Sequence, residues 1–134
     1  MNAPSPFVAS LMVFAGGGMG AVLRHQLGRA MTGWLGPSVV SAFPWATLAV
    51  NISGSLAMGL LAGWLAKYGP GGEHWRLFLG IGLLGGFTTF SAFSLELMLL
   101  IERGQPGTAF AYAAVSVLAG LSALYIGLIA MRLA

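Results

Sequence analysis

Four apolar stretches, at residues 6–23, 45–66, 77–101 and 105–131, take up most of this chain, and only the third contains a charged side chain, Glu96. A helix needs about 20 apolar residues to cross a bilayer, since each residue adds only about 1.5 Å of rise. Inside lipid every backbone N–H and C=O must find a partner within the protein. The four stretches therefore predict an all-α integral membrane protein with transmembrane helices over about residues 6–30, 45–67, 76–102 and 105–132. They form one membrane domain, residues 1–134, and leave no soluble domain over.

Charge supports that reading. Only 7% of residues are charged, against about a quarter in a soluble domain, too few to cover a surface that faces water. No Lys or Arg precedes residue 24, so the opening segment lacks a signal peptide's basic start and reads as the first helix of the mature protein. There is no cysteine, which excludes disulfides, thiolate metal ligands and cysteine nucleophiles. The pI near 10.0 comes from six basic residues at helix ends; they form no basic stripe, so nucleic acid is not a predicted partner.

Those basic residues bear on orientation. With four helices, Lys67, Arg76 and Arg132 fall on one side of the membrane and Arg24, Arg29 and Arg103 on the other. Lys and Arg excess on the cytoplasmic side sets topology, and three against three selects neither orientation. Either one charge near the first helix dominates and sets a single orientation, or the chain inserts both ways and assembles as an antiparallel, dual-topology homodimer, which is the sharper expectation. Small-residue pairs at helical spacing, Gly16/Gly20, Gly59/Gly63, Gly82/Gly86 and Ser116/Gly120, allow the close helix approach on which packing in lipid depends.

Polar residues at membrane depth usually face a bundle interior or a water-filled path. Thr47, Asn51 and Ser55 form one i, i+4, i+8 line, and Tyr112 and Ser116 a second line on the last helix. Asn51 is either a conduit donor or an interhelical hydrogen-bonding group. The segment Gly85-Gly-Phe-Thr-Thr-Phe-Ser-Ala-Phe93 combines poor helix formers and predicts a break near the middle of helix 3. Freed carbonyls at that depth can coordinate a cation such as Na⁺. Phe90 and Phe93, three apart, project from one side, and aromatic edges carry partial positive charge. Weak edges with Asn and Thr donors nearby suit a small anion that must enter and also leave. Glu96, on roughly the same face as Phe90, is predicted to gate or hydrate the pore mouth.

Gly80-Ile-Gly-Leu-Leu-Gly85 matches a dinucleotide-binding fingerprint, but it lies inside an apolar run with no preceding strand. With no Asp, no thiol and no pair of neighbouring carboxylates, an enzyme is not predicted.

The segments Gly16-Gly-Gly-Met-Gly-Ala-Val-Leu-Arg24, Asn51-Ile-Ser-Gly54 and Gly85–Phe93 together resemble the Fluc (CrcB) fluoride channels, in the same order and on the same helices. That resemblance implies a dual-topology homodimer with two antiparallel pores that export F⁻ across the prokaryotic inner membrane, with lipid and fluoride as partners and no further protein. It implies that Phe90 and Phe93 line the pore, that Asn51 donates at one end, and that Thr47, Tyr112 and Ser116 continue the polar track. Gly85 and Thr88 would offer backbone carbonyls to a structural Na⁺ on the dimer axis, and Arg24 would sit in an aqueous vestibule. The chain departs from the family pattern at Gly120, in place of a small polar residue, and at Ala92, in place of Thr. Two other readings use the same residues: a dual-topology multidrug exporter, for which helix 1 lacks the carboxylate, and a scaffold, which has no use for a broken span.

Overall fold

Each span starts and stops where the sequence supplies the chemistry. Ser5 caps α1 (Pro6–Leu35) by accepting the Val8 amide at 3.4 Å. Pro6 takes the first helical position, where its missing N–H leaves no bond unmade. Gly36, at φ 85°, ends the helix in a conformation that favours glycine, and Pro37 opens a short α2 (Pro37–Ala42). α3 (Trp45–Tyr68) follows, then a single tight turn, Gly69–Gly72. The third span runs from Glu73 to Glu102 as a composite: α4 (Glu73–Trp75), a π-helical stretch (Arg76–Leu84), α5 (Gly85–Phe87) and α6 (Phe90–Glu102). α7 (Pro106–Leu133) completes the chain. This computed structural model describes residues 4–134.

Four helices are thus long and apolar enough to cross a membrane, and no strand is present among the described residues. Two boundaries differ from expectation. Helix 1 runs to Leu35 rather than to about residue 30, because the backbone first turns to positive φ at Gly36, ahead of Pro37, and a short α2 between Pro37 and Phe43 is added to the expected elements.

Glycines decide which spans pair. A Cβ added at Gly59 would run into the Leu124 carbonyl, and one at Gly127 would lie 2.5 Å from the Leu56 carbonyl, so α3 and α7 touch backbone to backbone. Residue numbers rise together along the contact, so these helices are parallel. Gly16 and Gly20 of α1 lie in the same way against the backbone of residues 78–87, and Gly86 lies against Gly17. Between the two pairs sits a small core of Leu48, Phe93, Leu100, Ala109 and Tyr112. Phe7, Phe14, Trp34 and Leu118 are exposed, an apolar exterior of the kind that faces lipid.

The predicted break is present within the expected segment, at its threonines. Gly85 and Gly86 remain helical, whereas Thr88 (φ −76°, ψ 159°) and Thr89 (φ −151°, ψ 123°) are extended. Just before it the helix is already loosened: the Gly85 N–H reaches back five residues to the Gly80 carbonyl. The glycines serve close packing, and the threonines carry the break. Arg24, Arg29 and Arg103 gather at the end of the bundle near α2: Arg24 and Arg29 share a cavity with Val40, and Arg103 donates to the Ser41 carbonyl at 2.8 Å.

Candidate functional site

Two extended residues in the middle of a span leave backbone groups that helix bonds no longer satisfy, and Asn51 meets both groups of Thr89. Its Oδ1 accepts the Thr89 N–H at 2.9 Å, and its Nδ2 donates to the Thr89 carbonyl at 3.1 Å. One side-chain amide thus replaces a backbone partner across the gap. The Thr89 hydroxyl accepts the Ala92 N–H at 3.2 Å and restarts the helix as an N-cap, while the Thr88 hydroxyl donates to the Leu84 carbonyl at 2.8 Å. The sequence marks Thr89 only as part of the break and not as the partner of Asn51; the available signal is an amide on a charge-free helix opposite a break.

Phe90 and Phe93 follow at once, with ring centroids 5.8 Å apart. Their surroundings differ sharply. Phe90 is 79% exposed and Phe93 only 9%, so one ring looks out of the chain and the other into its core. Phe93 lies 5.1 Å from the ring of Tyr112, which is fully buried. Phe90 instead borders an open cavity of about 280 Å³ with Asn51, Ser55, Thr88 and Thr89. An amide has two N–H donors, and only one of those on Asn51 goes to Thr89.

Glu96 is held by two hydroxyl groups. Its carboxylate accepts from the Thr47 hydroxyl at 2.6 Å and the Tyr112 hydroxyl at 2.8 Å, tying α3, α6 and α7 together at one level. Both carboxyl oxygens are thereby engaged, one by each hydroxyl. Glu96 also borders a second cavity, of about 160 Å³, shared with Ser41 and Arg103. Thr47, Tyr112, Glu96 and Phe93 are therefore one cluster, next to Phe90 and Asn51.

Ser116 stands apart from these bonds: its hydroxyl is buried with no partner among the described residues. The parallel register that sets Ser55 against Gly120 puts Ser116 level with Asn51 and Tyr112 level with Thr47. The seam between α3 and α7 is accordingly polar over its first turns, and it closes where Gly59 meets Leu124. Arg24 lies against the broken span, with its Nε donating to the Gly86 carbonyl at 3.3 Å. It borders a cavity of about 510 Å³ with His25 and Arg29, a positively charged recess. Gly85 is exposed, and the Thr88 carbonyl accepts no backbone hydrogen bond among the described residues.

The same chain matches the family model described as "CrcB-like protein, Camphor Resistance (CrcB)" over residues 11–128. It is 57% identical over 134 residues to the fluoride-specific ion channel FluC of Erythrobacter litoralis, covering 99% of this chain and 98% of the relative. The proteins of the same name from Novosphingobium aromaticivorans and Sphingopyxis alaskensis are 59% identical over 124 residues and 55% over 120. These alignments cover 92% and 90% of this chain and 96% and 92% of the two relatives. With most of its length inside the family model and full-length relatives above half identity, this chain is a multi-pass membrane protein belonging to the CrcB family.

Proposed function

We propose that this protein is a fluoride channel that lets F⁻ leave the cytoplasm by passive electrodiffusion. The observation that carries the reading is the Phe90–Phe93 ring pair beside an unwound, amide-clamped backbone, bordered by a cavity with polar donors. Relatives at more than half identity, named as fluoride-specific channels, support the same conclusion.

The chemistry follows from what the groups offer an anion. An unspent N–H on Asn51 and the positive ring edges of Phe90 and Phe93 stabilise a small, hard anion as it sheds water. None carries a full charge, so the ion can also leave. The Thr47–Glu96–Tyr112 joint is at the other end of the ring pair, where hydroxyl donors now held by the carboxylate can turn to an arriving ion. Ser116, with a hydroxyl awaiting a partner, continues that track. The recess around Arg24, His25 and Arg29 raises anion concentration at the entrance.

A ring as exposed as Phe90 bordering a cavity open to the outside needs a second wall. An antiparallel copy of the same chain supplies it, and the even split of basic residues fits insertion in both orientations. Two such copies form two pores in the inner membrane. The free Thr88 carbonyl, beside exposed Gly85, fits oxygen ligation of Na⁺ at the junction of two copies. One chain offers too few oxygens for such an ion, so the paired Gly85 and Thr88 residues of both copies would hold it as a structural crosslink.

The test uses purified protein in liposomes loaded with potassium fluoride, with chloride-loaded vesicles as control. Fluoride loss that depends on valinomycin, without chloride loss, is the expected result. Absence of fluoride loss from folded protein refutes the reading and brings proton-coupled drug exchange through Glu96 forward.

A further inference from the structure

Hydroxyl groups on membrane helices commonly fold back onto the carbonyl four residues earlier, which satisfies them at no distance from their own backbone. Ser10, Thr32, Ser53, Thr88 and Ser94 all do so here, at 2.7 to 3.0 Å. Ser55 does not: no hydrogen bond of its side chain occurs among the described residues. It stands one turn beyond Asn51 on α3 and borders the same cavity as Asn51, Thr88, Thr89 and Phe90. Across the helix seam it faces Gly120. A Cβ built there would find only the Ser55 Oγ within 4 Å, at 3.5 Å. At this level α7 contributes no side chain, and the space in front of the Ser55 hydroxyl is left open.

One turn further on, Gly59 meets the Leu124 backbone and the seam is shut. The polar column between α3 and α7 therefore ends at Ser55, and the last hydroxyl on it comes from α3. We infer that the Ser55 side chain donates its O–H to the permeating anion at the inner end of this column, in the space that Gly120 leaves open. The inference rests on the channel reading above. It adds a fluoride-contacting residue to that pathway and gives Gly120 a role as the vacancy that makes the contact possible.

Ser55→Ala, Ser55→Thr and the double variant Ser55→Ala/Gly120→Ser, compared with wild type in the fluoride-efflux assay, test it. Size-exclusion elution of each variant reports assembly. Loss of a hydrogen bond to a charged partner predicts about a tenfold or greater fall in fluoride flux for Ser55→Ala. Ser55→Thr keeps the hydroxyl and should keep the flux. The double variant puts a hydroxyl back from the opposite helix, into space that accepts a Cβ at ordinary contact distance, and should restore most of it. Unchanged flux in Ser55→Ala overturns the inference. A fall that neither hydroxyl restores, or an Ala variant that no longer assembles, overturns it as well by assigning Ser55 to packing. Wild-type protein without fluoride flux is a separate result: it refutes the channel reading itself, and this inference with it.

Discussion

Asn51→Ala removes both halves of the bridge across the broken span. The Thr89 N–H loses its acceptor at 2.9 Å and the Thr89 carbonyl its donor at 3.1 Å. Interhelical side-chain bonds in a bilayer are modest, averaging about 0.6 kcal/mol, so the bonds alone would predict a small effect. Orphaned backbone groups decide otherwise, because each costs about 1–3 kcal/mol when no partner replaces the lost one. The Thr89 hydroxyl already accepts from Ala92. Water entering the adjoining cavity recovers part of the loss, which leaves about 2–4 kcal/mol. Asn51→Asp keeps an acceptor for the N–H but, while ionised, sets an oxygen against the Thr89 carbonyl, so it should be at least as disruptive and should block flux. Hydrogen exchange of the peptide covering residues 85–93 reads the effect directly. A loss of about 2 kcal/mol corresponds to roughly thirtyfold faster exchange at the Thr89 amide. Wild-type exchange together with wild-type flux in Asn51→Ala would refute the clamp.

Further outcomes follow from the same geometry. Phe90→Ile and Phe93→Ile should both lower fluoride efflux severalfold. Only the buried Phe93 variant should also lose about 1–2 kcal/mol of stability in thermal unfolding, and unaltered flux in both would remove the aromatic pathway. Glu96→Gln leaves one acceptor oxygen for two hydroxyl donors, so flux should fall; unchanged flux assigns Glu96 to packing alone. Gly59→Ala meets the Leu124 backbone and should abolish folded protein on size exclusion, whereas Gly18→Ala, with nothing within 4 Å, should behave as wild type.

Much of the fold could be read from composition because a bilayer admits so few backbone solutions. Once four apolar runs are present, each must be a helix, and only its ends remain to be found. Helix 1 overran its predicted end because Arg24 and Arg29 suggested an edge to the membrane, while a helix stops for backbone reasons, here at Gly36. The break was visible as a cluster of poor helix formers. Its position was not, since Gly85-Gly86 and Thr88-Thr89 both weaken a helix and only packing against Gly17 separates them: Gly86 must stay helical to lie flat on α1.

The site divides in the same way. Sequence by itself determined which residues bring polar groups to membrane depth, Thr47, Asn51, Ser55, Glu96, Tyr112 and Ser116, and that the aromatic pair Phe90 and Phe93 follows the break. Their partners belong to other helices, and no local pattern encodes a partner. Tertiary structure alone paired Asn51 with Thr89, joined Thr47 and Tyr112 through Glu96, turned Phe90 outward and Phe93 inward, and opened Ser55 onto Gly120. The physical reason lies in range. Backbone propensity and hydropathy act within a few residues, whereas these pairings depend on the register of parallel helices, and contacts such as Gly59 against Leu124 set that register.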